Sequence, residues 1–378
     1  MRRPFEISVI TRIGCALLAA ALATAWQPNT GNAESKPDFS QEAVESIRID
    51  AKRIASFAKS EPARHTFGKL EFRGGLVLTS PSSKFGGWSA LEIDPDGRKL
   101  LAISDAGIWL TGTLTYDGSA PSGIRDAQIG PLTGTGGTAL VKDRDRDAEG
   151  VVLLDGSLSK GTVLISFEQN HRIGRFPITD KGLGAPTGYL TLPADARRQS
   201  PNKSLESVCI LRGGPNKGAV ITLSERFPDR SGTKHTGWML PAGAQASATA
   251  WSTLAIQNIG GFDLTDCRGL PDGSLLVLER RFRWSSWYEG VKTRLRRFSA
   301  AEIRPGQLMS GEVLLEADMD YEIDNLEGLG VHRAATGETI LTMISDNNYN
   351  SFLQRTLLLQ FALVAPATAA APQTVTRR

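Results

Sequence analysis

Five residues at near-constant spacing carry the chain's potential chemistry. They are Ser89, Glu149, Glu206, Asp266 and Glu327, separated by 60, 57, 60 and 61 residues. Each opens a short apolar run, a turn follows, and a second apolar run ends near another acid: Asp105, Glu168, Glu225, Glu279 or Asp346. Equivalent points of a repeat converge in space. Carboxylates brought together repel one another unless a cation sits among them or some stay protonated. Hard oxygen ligands suit Ca²⁺ ahead of Mg²⁺. Zinc is disfavoured, because His65, His171, His235 and His332 are the only histidines and none has zinc-ligand spacing. The expected metal ligands are therefore Glu149, Glu206, Asp266, Glu327 and Asp346.

Basic residues follow the second acid in two repeats, as Glu225-Arg226 and Glu279-Arg280-Arg281. Guanidinium groups grip phosphate or carboxylate through paired N–H donors. Arg226, Arg280 and Arg281 are therefore the expected substrate contacts. Two plainer readings stand beside these. A fixed acid in a repeat also serves to bond backbone N–H groups of the next repeat, and for any one anchor that reading weighs as much as a functional one. An Arg beside a Glu also forms an intramolecular ion pair.

The elements that must position these residues are short strands. From Leu70 onward, runs such as LEFRGGLVLTS, TVLISF, AVITLSE and RTLLLQFALV alternate with Gly/Asp/Asn/Pro turns. Each period of about 60 residues holds about four runs, the content of one β-propeller blade. The expected fold is an all-β propeller of four-stranded blades, five by repeat count. Six remain open if residues 70–80 contribute more than one strand. The last repeat has three clear strands, and the N-terminal run at 70–80 is the natural fourth, closing the ring and removing the free sheet edges. In a propeller the first strand of each blade lines the central channel. The anchors then form a ring at its mouth, with Ser89 the odd member.

Outside the repeats the chain divides simply. Arg2, Arg3 and Arg12, an apolar run at 13–22 and small residues ending at Ala25 or Ala33 read as a signal peptide over 1–33. The expected destination is the periplasm or the medium. The apolar run is short of the roughly 20 residues that a spanning helix needs. Removing Arg2, Arg3 and Arg12 together with Glu6 takes the formal charge from +3 to +1, which gives no reason to expect nucleic acid as a partner. Residues 34–66 are an expected leader, with Ala43, Ile47, Ile54 and Phe57 at helical spacing. The propeller domain covers 67–364, and 365–378 is a low-complexity tail. Of three cysteines, Cys209 and Cys267 remain after cleavage. They read as buried hydrophobes, although a disulfide is allowed.

Several local motifs carry little. Asp143 to Asp147 resembles the start of a calcium loop but has Ala148 where glycine is needed and no Glu at the twelfth place, so it reads as a solvated loop in which Asp147 assists Glu149. Ser157 to Lys160 matches S-x-x-K, but in a turn. There is no G-x-S-x-G elbow. The turns at 94–97 and 271–273 are hairpin chemistry. Trp284, Trp287 and Tyr288 form an aromatic cluster suited to a substrate wall or a cap.

The phrases DAEGVVLL (147–154), SLESVCIL (204–211), FDLTDCRGLPDGSLLVLERRF (262–282), DNLEGLGVH (324–332) and SDNNYNSFLQRTLLLQF (345–361) resemble the phytase-like domain family, whose members carry an esterase-like label. The resemblance covers about 70–363. It implies an exported propeller that hydrolyses a small phosphate or carboxylic ester at a metal-supported channel mouth. It supplies no nucleophile in this chain. The alternative is a non-catalytic propeller that binds a ligand or protein, with its acids holding a structural ion or stapling blades.

Overall fold

The computed structural model describes Phe39 and residues 43–138, 140–198, 205–225, 232–282 and 290–364. The signal segment, the tail, Arg226 and the aromatic cluster at 284–288 lie outside the described residues. Among the described residues no helix is long and apolar enough to cross a membrane.

Five antiparallel sheets form the blades of a propeller. Their innermost strands are Trp88–Ile93, Ala148–Ser157, Leu205–Ile210, Asp263–Gly269 and Leu326–Arg333, in blades I to V. Each continues outward through a hairpin to a second and a third strand. Leu70–Thr79 pairs antiparallel with Thr356–Leu363 and supplies the fourth strand of blade V. Five blades closed by an N-terminal strand is the expected architecture, and the single added strand at 70–79 excludes a sixth blade.

The driving force lies between blades rather than within them. Each neighbouring pair of blades buries its own apolar cluster, exemplified by Trp109 with Phe167 (I–II), Ile173 with Trp238 (II–III) and Leu278 with Leu341 (IV–V). Strands covered on both faces lose their alternating pattern, as in Trp88–Ile93, which is buried throughout. Cys209 and Cys267 sit in the cluster between blades III and IV and are joined by a disulfide, so they are more than small hydrophobes. Neighbouring innermost strands at blade spacing bring the two side chains together.

The leader forms no helix among its described residues. Glu45–Ser46 adds to the edge of blade I, and Asp50–Ile54 to the edge of blade V. Open edges offer unpaired N–H and C=O groups, and Ile47, Ile49 and Ala51 alternate at the period of a strand. They pack against the cluster between blades V and I. Phe57 then anchors the segment, with its ring 5.0 Å from those of Phe67, Tyr321 and Phe361.

Candidate functional site

Every innermost strand carries a bulge near its start, and the bulge decides which side chain reaches the channel mouth. The ladders to the second strands skip Ser89, Glu149, Glu206, Thr265 and Glu327. An extra residue of this kind is re-aimed out of the sheet's alternation. The residue that follows must let the next blade approach. A Cβ on Gly150 would lie 2.6 Å from the Val208 backbone N, and one on Gly328 2.9 Å from that of Leu91. That close approach explains the Glu-Gly pairs of blades II and V.

The skipped residue in blade IV is Thr265, one before Asp266. The second strand shifts in step. Its mouth residue follows Ser104, Phe167, Ser224, Glu279 or Ser345 in the five blades, and so is Asp105, Glu168, Glu225, Arg280 or Asp346. Blade IV thus contributes a threonine and a guanidinium where blades II, III and V contribute two carboxylates each.

Two overlapping carboxylate groups form, one within blade II and one shared by blades II and III. Asp147, Glu149 and Glu168 make one, and Glu168, Glu206 and Glu225 the other; within each group one oxygen per residue lies within 4.8 Å of the others. Glu149 and Glu168 are 8% exposed and Asp147 is fully buried. Burial, and then the charges of Glu168, Glu225 and Glu149, push the Glu206 carboxyl well above the usual carboxylate range, with Arg280 pulling back. An all-oxygen donor set under this repulsion fits a hard divalent cation, which lets every member ionise. Asp145 faces away: its carboxylate accepts from Asn170 Nδ2 at 2.8 Å.

The other half of the mouth holds a cation of its own, which offsets part of its charge. Arg280 donates through Nη1 to Glu327 and to Asn325 Oδ1 (2.7 Å), and Nη2 lies 3.5 Å from Glu225. Burial works against its charge, but Glu327, Glu225, Glu206 and Asp263 outweigh that cost and raise its pKa. Asp346 stands beside Glu327 and Asp105. Burial and those two charges push its carboxyl up, against the Asn348 N–H and Arg280.

The expected ligands therefore separate into three places. Glu149 and Glu206 belong to the two carboxylate groups. Glu327 and Asp346 share the mouth with Arg280. Asp266 is fully buried in the channel wall, where its carboxylate accepts from Cys267 N, Leu329 N and Arg268 Nη1 at 2.7, 2.8 and 2.9 Å. Those bonds tie blade IV to blade V. Of the expected substrate contacts, Arg280 lies in the mouth. Arg281, on the opposite side of the strand, donates to Gly260 O and covers the Phe262 ring.

Glu279 turns inward to Arg296 and Arg294. Asp147, Glu168 and Glu225 complete the site. The sequence signal for the last two is the acid one residue past an apolar second strand. Ser157 Oγ accepts from the Ser159 and Lys160 amides of a hairpin, consistent with a turn rather than a nucleophile.

A family model described as Phytase-like, esterase-like activity of phytase, matches residues 83–349, well over half of the chain. No curated protein matches it.

Proposed function

The chain belongs to the Phytase-like family, and from that premise we propose that it is an exported, divalent-cation-dependent hydrolase of a small phosphate or carboxylic ester, working at the acidic mouth of the channel. The observation that carries the reading is Glu168, shared between two carboxylate groups, each compact enough to hold one cation. Asp147, Glu149, Glu168, Glu206 and Glu225 are the proposed ligands. Ca²⁺ is preferred over Mg²⁺, because a site of many protein carboxylates and few constraints suits the larger ion. Such an ion, when bound, polarises an ester oxygen and acidifies water.

The chain's own residues supply the setting. Arg280 stands at the rim with its guanidinium fixed by Glu327 and Asn325, and its remaining N–H donors face an anionic group better than a lysine would. Glu327 and Asn325 orient it. The Cys209–Cys267 bond supports an oxidising destination, in keeping with the N-terminal signal.

The test is hydrolysis of p-nitrophenyl phosphate and p-nitrophenyl butyrate by purified protein, with Ca²⁺ and after removal of divalent ions. Loss of activity on removal, and loss again in folded Glu149→Gln, is expected. Activity that survives both overturns the proposed site. A melting temperature that falls on removal of divalent ions, with neither ester hydrolysed, assigns the acids to a structural ion instead.

A further inference from the structure

The opposite end of the channel holds a cavity of about 440 Å³, inside the roughly 300–1,000 Å³ range of small-molecule sites. The turns between first and second strands rim it, through Pro95, Gly156 and Pro271. Its walls are apolar, with Ile93, Val152, Ile210 and Val331 among them, and into this lining come Arg212, Arg268, Arg333 and His332. Arg268 is 4% exposed and donates to Asp266, Cys267 O and Leu91 O, yet its Nε–H is buried with no partner. Arg212 spends one donor on Leu153 O and forms no ion pair among the described residues.

The acids present do not use up these donors. Both oxygens of Glu92 accept backbone N–H groups, from Ile93 and Leu153. Both oxygens of Asp266 are engaged as described above, and Asp155 stands exposed at the rim. Burial pushes His332 down to about 4, so near neutral pH it offers a neutral imidazole whose Nδ1 is buried without a partner. Formal charge is thus close to balanced, but N–H donors outnumber the acceptors left to meet them. Arg268 Nε–H, a buried donor without a partner, calls for an oxygen ligand, and Arg212, exposed along the cavity, has further donors to offer the same ligand.

We propose that this cavity is a second ligand site, separate from the acidic mouth, which takes a small organic acid: its carboxylate on Arg212 and Arg268, its apolar body against Ile93, Val152, Ile210 and Val331. The apolar wall selects against a bare inorganic anion, and the guanidinium groups select against a neutral hydrocarbon. Nothing in the site needs a metal ion, so it stands or falls independently of the proposed hydrolysis.

The experiment is calorimetric titration of the full-length processed protein with benzoate, hexanoate and inorganic phosphate, in buffer freed of divalent ions on a chelating resin. Benzoate or hexanoate is expected to bind with Kd of about 1 mM or tighter. Arg212→Gln is expected to weaken binding about tenfold or more, Arg212→Lys less, and Glu149→Gln at the other mouth not at all. In wild-type protein, the methyl resonances of Val331 and Ile210 should move on addition of benzoate. That reading does not depend on any variant folding. Silent methyl groups, an Arg212→Gln protein that binds as well as wild type, or phosphate binding as tightly as both acids each overturn the proposal.

Discussion

The two ends of the channel are built from the same five innermost strands, yet they carry opposite chemistry. At the starting ends, bulges gather carboxylates, with Arg280 set among them. At the finishing ends, Arg212 and Arg268 line an apolar cavity, and the neighbouring Glu92 and Asp266 already serve backbone amides. A carboxylate at a bulge is pushed toward other carboxylates and needs a cation. A carboxylate in the regular part of the strand meets the amides of the next blade and becomes a staple. Backbone register, rather than residue type, separates a candidate ligand from a structural bond.

The largest effect that sharpens this contrast is expected from Glu168→Gln. It removes the shared member of both carboxylate groups and should weaken Ca²⁺ binding more than about 100-fold, while organic-acid binding at the far cavity stays unchanged. Calorimetry with Ca²⁺ checks it, and unaltered Ca²⁺ affinity in the folded variant would break the assignment. Arg280→Gln comes next. It leaves Glu327 and Glu225 without a half-buried counter-ion and should cost about 2 kcal/mol in urea unfolding, with part of the loss restored by Ca²⁺. A loss below about 1 kcal/mol would mean that the ring tolerates its own charge.

Asp266→Asn tests the staple. Burial raises the Asp266 carboxyl to about 7, against Arg268 and two backbone donors, with Glu92 adding to the rise. A raised folded pKa means that the native state keeps a proton the unfolded chain has released. The stability it carries is present at low pH and is lost as pH climbs toward about 7, by at most about 1.4 kcal/mol per pH unit. The Asn variant should flatten that slope in denaturant titrations from about pH 5 to 8, and parallel slopes would refute the assignment. Arg281→Ala is the smallest. It loses the bond to the Gly260 carbonyl and contact with the Phe262 ring, and should cost about 1 kcal/mol with ester turnover intact. A turnover loss matching that of Arg280→Gln would place both arginines in the mouth.

Much of this was legible beforehand, because period and turn chemistry are local. The 60-residue repeat implied blades, the surplus run at 70–80 implied closure, and Glu149 and Glu206 stood out by spacing. The slip in blade IV was harder to see. Aligning on the acid selects Asp266, whereas aligning on the preceding hydrophobe (Leu205, Leu264, Leu326) selects Thr265, and the ladder follows the hydrophobe. A one-residue change in register sends a side chain to the other face of the sheet. The same slip moves Glu279 inward and Arg280 to the mouth.

The leader shows the complementary failure. Ala43, Ile47, Ile54 and Phe57 satisfy a helical period, but open blade edges and the Ile47-Ile49-Ala51 alternation favour strands. The unmet bonding capacity of those edges depends on ring closure, which no local window contains.

By itself the sequence determined the repeat, the all-β architecture, its closure, and the abundance of carboxylates at one recurring position. These follow from local periodicity and composition, which survive in a single string of letters. Only the tertiary structure decided which acids meet. It placed Glu168 between two carboxylate groups, Arg280 among the acids, Asp266 against Arg268, and Cys209 within bonding distance of Cys267. The physical reason is that bulge register and blade-to-blade approach are set by contacts between residues about 60 positions apart, and those contacts exist only once the ring has closed.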